Sequence, residues 1–297
     1  MVRTAGQASS GTREPEWAVR EVDADTGSGK PRSLRLVGSY LLGWVFGCIH
    51  IHRSSRSNVA GRETVTKVRR RSAAVLVPLA NLCLRWQGAG TCVLSRAAWK
   101  AREVAVNRMQ PWREVGVCPT GITMPRWRGS TLDEYLAAEP TELERWKAIH
   151  AAWEALRELH GLTEPSGDNV SKGGFSHADA TTRNVMYDCA TGAAVWIDFD
   201  MCHETSRPVL WRQADDARAF LVSVARRIPA AECERVVKEC LAGTPHGDLR
   251  RVLRTLVIQA AERPLSFHMA QHRLSPGQYR EVIRRLLAGL EAADNPI

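Results

Sequence analysis

Residues 175–200 read FSHADATTRNVMYDCATGAAVWIDFD. Within them Val185-Met-Tyr187 and Ala194-Val-Trp-Ile197 are short apolar runs, and Asp188-Cys-Ala-Thr-Gly192 between them is rich in turn-forming residues. The pattern predicts a β-hairpin. A hairpin brings its two open ends together. Asp179 and Asn184 lie at one open end and Asp198 at the other, so two carboxylates and an amide oxygen are expected to converge. These are hard oxygen ligands of the kind Mg²⁺ accepts. Phosphoryl transfer asks little more of a protein than a positioned metal, a positioned nucleophile and neutralised charge.

Working outward from the hairpin, Leu143, Trp146, Ile149, Trp153, Leu156 and Leu159 recur every three or four residues and predict an amphipathic helix ending at His160-Gly161. Thr141 with Glu144, and Thr131 with Glu134, have the capping-box form. Further upstream, Val117 to Met124 is strand-like, and Val93 to Met109 carries helical spacing through Trp99, Glu103, Val106 and Met109. Residues 74–86 (AVLVPLANLCLRW) read as short strands broken near Pro78. Residues 53–71 (RSSRSNVAGRETVTKVRRR) read as a polar, basic surface loop, and nothing beside them supports base stacking. Residues 1–32 have no apolar period and read as a disordered tail. Downstream of 210 the pattern is helical throughout, with helices expected over 215–226, from Pro229, over 247–262 and from Ser275-Pro276 to about 292. Strands and one helix come first and helices dominate afterwards, an α+β order and not an alternating βαβ one.

The chain has 297 residues, 44% of them apolar and 25% charged, which excludes a wholly disordered chain or a small disulfide scaffold. Its net charge of +9 is uneven. Residues 1–113 hold 19 basic and 7 acidic side chains, so the remainder is slightly acidic. The 8 cysteines form no C-x-x-C pair, which fits reduced thiols in an intracellular protein. The uncharged run at 36–49 falls short of the roughly 20 residues that span a bilayer. His268 and His272 are one helical turn apart but lack a third ligand, so a solvated or capping pair is expected there and no zinc site. His50 and His52 are not expected to bind metal either. The Trp146 and Trp153 stripe is expected to pack a helix.

His177-Ala-Asp179-Ala-Thr-Thr-Arg-Asn184 resembles the H-x-D-x-x-x-x-N catalytic loop of the protein-kinase-like superfamily, and Ile197-Asp198-Phe199-Asp200 resembles its metal-binding D-F-G segment with Asp in place of Gly. The likeness is nearest to the aminoglycoside-phosphotransferase-like and fungal kinase-like branches and covers about residues 74–225. It implies a bilobal kinase-like fold: a largely disordered basic N-terminal segment over 1–71, a reduced β-rich N-lobe over 72–125 and a helical C-lobe over 126–293. The cofactors implied are ATP and Mg²⁺. By the same resemblance Asp179 orients or deprotonates the acceptor hydroxyl, His177 braces the loop and Arg183 neutralises charge on the transferred phosphoryl group or the substrate. Asn184 and Asp198 hold the metal. Met124 to Trp127 resembles the hinge that offers backbone groups to adenine. Glu103 matches the acid that pairs with the phosphate-binding lysine. Asp215 or Asp216 matches the buried acid that anchors the catalytic loop.

The strand expected to carry that lysine reads Leu82-Cys-Leu-Arg85-Trp86, which puts Arg85 in its place, and Lys100 is the only lysine near it. Gly38, Gly43 and Gly47 do not have the spacing of a G-x-G-x-x-G loop. The activity implied is transfer of the γ-phosphoryl group to a hydroxyl of a small molecule or protein. A pseudokinase, which keeps the fold as a binding module, is the alternative. A cytoplasmic monomer without nucleic-acid or membrane partners is expected.

Overall fold

The computed structural model describes residues 52–59, 62–109, 115–119, 121–162, 174–242 and 247–294. The expectations for 1–32, for the apolar run with its glycines and for His50 fall outside the described residues. Among the described residues the fold is mixed α+β, with small antiparallel sheets and a majority of helix.

The stretch read as a basic loop is instead the start of the first sheet. β1 (His52–Val59) and β2 (Arg62–Arg69) form a hairpin with Val59 opposite Arg62 and His52 opposite Arg69. β2 then pairs with β5 (Gly121–Pro125), and β5 with β4 (Gly116–Val117), giving the order β1-β2-β5-β4. Thr64, Val65, Thr66 and Val68 supply the β-branched side chains that suit a pleated surface. Hydroxyls meet across the strands, Ser57 with Thr64 at 2.8 Å and Thr66 with Thr123 at 2.9 Å. β5 approaches β2 so closely that a Cβ at Gly121 would collide with the Lys67 carbonyl.

The run 74–86 is not strand. It forms α1 (Ala73–Gln87), which includes Pro78 and ends at Gly88 in the left-handed region, where the Gly88 N–H bonds Arg85 O. Ala73, Ala80, Cys83 and Leu84 face inward, while Val75, Leu79, Leu82 and Trp86 are exposed. β3 (Thr91–Val93) follows, then α2 (Arg96–Met109), where Trp99, Glu103 and Val106 are buried as the spacing predicts and Met109 is exposed. Trp99 packs with Ile122 and Met124 between α2 and the sheet.

β6 (Ser130–Thr131), β7 (Val185–Asp188) and β8 (Ala193–Trp196) make a second sheet containing the predicted hairpin. Gly129, with φ of 97°, lets β6 lie against the Tyr187 carbonyl, which a Cβ would strike. α3 (Leu132–Ala137) and α4 (Glu142–Gly161) both open with complete capping boxes. Leu143 lies outside the buried stripe of α4, at 61% exposure. β9 (Met201–His203) pairs with β3, and Cys92 and Cys202 face each other across it at 3.2 Å.

The helical half comprises α5 (Val209–Ala225), α6 (Ala230–Ala242), α7 (Gly247–Glu262), α8 (Ser266–His272) and α9 (Pro276–Asp294). Ile149, Trp153 and Leu156 of α4 join Phe220, Val237, Leu253, Ile283 and Trp196 in one core. α8 is additional to the helices expected. Its His268 and His272 are buried, not solvated, and among the described residues their ring nitrogens have no hydrogen-bond partner. Among the described residues no helix is long and apolar enough to cross a membrane.

Candidate functional site

The hairpin brings its ends together as its sequence predicts. Beyond β7 and β8 the ladder continues with Ile197 N–H donating to Asn184 O at 2.8 Å. The Asn184 side chain then donates its Nδ2 to both the backbone oxygen and Oδ2 of Asp179, at 2.8 and 2.7 Å. Asp179 and Asn184 are thus locked together, with Asp198 across the ladder.

Buried groups hold the loop before Asn184 in place. Asp216 of α5 accepts the N–H groups of His177 and Ala178, at 2.6 and 2.7 Å, and meets His160 Nε2 at 3.0 Å. Asp215 pairs instead with Arg218 and His203, so Asp216 is the anchor. His177 is buried against Trp196 and Phe199, and its Nε2 meets Ile197 O at 2.9 Å. Burial pushes its pKa down to about 4, which leaves the ring neutral near pH 7. Arg102 of α2 bonds Ser176 O. Thr182 donates to Ser223 Oγ and, through its hydroxyl, to Asp133. Ala178 and Asp198 both have φ of 69°, a conformation costing a non-glycine residue about 1–3 kcal/mol. The surrounding bonds hold both in place.

On the sheet side stands a residue the sequence reading missed. Lys67 of β2 lies 3.1 Å from Glu103 of α2 and 3.0 Å from Asp198. Burial opposes its charge, but Asp198 and Glu103 outweigh that and hold the ammonium above the ordinary lysine range. Glu103 Oε2 also accepts the Phe199 N–H at 3.0 Å, so one buried carboxylate ties β2 to the segment after β8. Arg85, expected at the lysine's place, lies in the last turn of α1 with its side chain exposed. The expected strand is a helix, so the cation comes from β2, 36 residues before Glu103.

Asp179 makes a second unpredicted contact. Gln271 of α8 donates Nε2 to its Oδ1 at 2.6 Å, so both carboxylate oxygens carry an amide donor. Burial raises the Asp179 pKa to about 6, with Gln271, Arg183 and Asn184 acting in the opposite direction. Arg183 bonds Gln271 O, which fastens the loop to α8. Asp200 is pushed well above the carboxylate range by burial and by the charges of Asp198 and Asp179. Met124 is buried in β5 opposite Val65, and Trp127 is half-buried just beyond it.

No family model and no curated protein matches this chain.

The site therefore unites His177, Asp179, Arg183, Asn184, Asp198 and Glu103 as expected, adds Lys67 and Gln271, and excludes Arg85. Among the described residues no group of three or more His, Cys, Asp or Glu side chains is arranged to hold a metal ion. The donor set here is smaller: the Asp198 carboxylate and the Asn184 amide, whose Nδ2 is engaged by Asp179 so that Oδ1 is its acceptor atom. Mg²⁺ is commonly held by one or two carboxylates together with phosphate oxygens and water. The repulsion among Asp179, Asp198 and Asp200 is also of the sign a divalent cation relieves. The residues present fit such an ion.

Proposed function

We propose that this chain is an ATP- and Mg²⁺-dependent phosphotransferase with a bilobal protein-kinase-like fold. It moves the γ-phosphoryl group to a hydroxyl of a small molecule or protein. The observation that carries this reading is Lys67, bridged to Glu103 and Asp198 from a separate sheet. In this reading the β1-β2-β5-β4 sheet with α2 is the upper lobe, which then includes residues 52–69, ahead of the expected start at 72. The lower lobe follows from about 126.

In this reading Lys67 binds nucleotide phosphate, Glu103 positions it, and the backbone from Met124 to Trp127 faces adenine. Asn184 and Asp198 would hold Mg²⁺, which supplies charge neutralisation at the phosphates. Asp179 orients the acceptor hydroxyl and accepts its proton, His177 braces the loop, and Arg183 offsets charge nearby. General base assistance of this kind is worth about 10²–10⁴-fold. The test is ADP release with Mg²⁺-ATP and a panel of hydroxyl acceptors, in the parent and in Asp179→Asn. Turnover that survives Asp179→Asn sinks the assignment.

One contact favours a second reading, a pseudokinase. With Gln271 on Oδ1 and Asn184 on Oδ2, an acceptor hydroxyl has to displace or share a donor at Asp179. Saturable Mg²⁺-ATP binding without ADP release above the Asp179→Asn background selects that alternative.

A further inference from the structure

β2 leaves the sheet at Arg69, and Arg70 and Arg71 lead on toward α1. Nearby, Ser95 caps the start of α2, and Arg96 is its first residue. Together these segments enclose a cleft of about 460 Å³, lined by all four arginines, by Ser95 and by the opening turns of α1. Among the described residues no acidic side chain lines it.

Arg69 decides what the cleft is for. Its residue is only 2% exposed, and its Nη1 donates to Leu94 O. Its Nε and Nη2 are buried without a hydrogen-bond partner among the described residues, although the guanidinium lies 5.6 Å from the Trp99 ring centre. A buried guanidinium with unused N–H groups costs the fold stability unless something else accepts them. Burial lowers its pKa and the Arg96 charge adds to the effect, opposed by Asp200 and Asp198. The helix ends point the same way. Ser72 makes no side-chain cap bond at α1, and neither α1 nor α2 has an acidic residue in its first turn. Positive helix ends that many proteins neutralise with Asp or Glu are left here without them.

We propose that this cleft binds a phosphomonoester. The planar forks of Arg69 and Arg96 match phosphate oxygens two at a time, which a lysine cluster would not do. Arg70 and Arg71 close the rim, and Val77 and Pro78 give the carbon side of the ester an apolar wall. A bound phosphate would tie the end of β2, which carries Lys67, to the start of α2, which carries Glu103. Occupancy of the cleft therefore stabilises the Lys67–Glu103 pairing.

Isothermal titration of the full chain at low salt tests this with three probes: inorganic phosphate, glycerol 3-phosphate and a short alanine peptide bearing phosphoserine. At least one binds saturably, and the tighter of the two esters identifies the source as a free small molecule or a phosphorylated chain. Arg71→Ala and Arg96→Ala, both at exposed positions, each weaken binding about tenfold or more. Arg69→Lys, which keeps the charge and loses the fork, does the same. Arg108→Ala, the same charge change at the far end of α2, leaves the affinity in place. The proposal is overturned if none of the probes saturates, or if Arg108→Ala weakens binding as much as Arg96→Ala.

Discussion

Lys67 and Glu103 are worth more to each other than either is alone. A buried ion pair adds little net stability over a well-packed apolar pair, but removing one partner strands the other's charge in the interior. Lys67→Met should therefore destabilise the protein by about 3–5 kcal/mol in urea unfolding. Adding Glu103→Gln should recover part of that loss, a non-additivity that a double-mutant cycle reads directly. Under the proposed chemistry Lys67→Met also lowers turnover, by about 10²–10³-fold if it acts as a preorganised donor to developing charge. Asp179 gives a pH prediction. Its folded pKa of about 6 lies above the ordinary 3.8, so the folded state favours the protonated form. Its contribution to stability is full below pH 4 and lost as pH rises through 6. Under the proposed chemistry Asp179 is a base and must be ionised, so kcat/KM should fall on the acid side with a limb near 6. Gln271→Leu removes a hydrogen bond that favours the carboxylate and should move that limb upward. If the limb stays put while the rate falls, Gln271 is packing and not tuning.

At the scale of elements, the loop from His177 to Asn184 depends on its neighbours. Asp133, in the first turn of α3, accepts from Thr182 in the loop and from Arg226 and Arg227 just beyond α5, the last two at 2.6 and 2.9 Å. Burial opposes its ionisation, but Arg227 and Arg226 hold its pKa down to about 2. Its share of stability is present above pH 4 and lost as pH falls through 2. Asp133→Ala should cost about 2 kcal/mol near neutral pH, with the difference from the parent shrinking in acid denaturation curves. The elements around this loop were the legible ones. β7, β8 and α4 show apolar periodicity, and the capping boxes at Thr131 and Thr141 mark helix starts by local chemistry alone. β2 was not legible, because the side chains it buries at 67 and 69 are a lysine and an arginine, and hydrophobic patterning cannot see a buried cation. The β-branched run Thr64-Val65-Thr66, with Val68 beyond the lysine, was the available signal. α1 failed for the opposite reason. Its run is apolar on nearly every side, which helix and strand patterns share, and Pro78 argued falsely for a break. α8 is a single short element of seven residues, too brief for periodicity, and Gln271 within it carries no sequence mark of its contact with Asp179.

For the whole molecule the site is a junction of separately built parts. Lys67 belongs to the β1-β2-β5-β4 sheet, Glu103 to α2, Asn184 and Asp198 to the ends of the β7–β8 hairpin, and Gln271 to α8. A ligand touching several of these at once should stabilise the fold as a unit, since it binds only when they are assembled. Mg²⁺-ATP at a hundred times its Kd adds about 2.7 kcal/mol, which for a chain of this size raises Tm by roughly 5 °C. The parent should show that rise, and Asp198→Ala should show little of it, judged by the shift on adding ligand and not by the starting Tm. Asp179→Asn should keep it, because in the proposed chemistry Asp179 serves the acceptor and not the nucleotide. That contrast separates binding from chemistry. A shift retained in Asp198→Ala would mean that nucleotide binds without the Asp198 carboxylate, and the metal assignment would fall. No shift in the parent would remove nucleotide from the site altogether, leaving Lys67, Glu103 and Asp198 as a purely structural ion-paired triad.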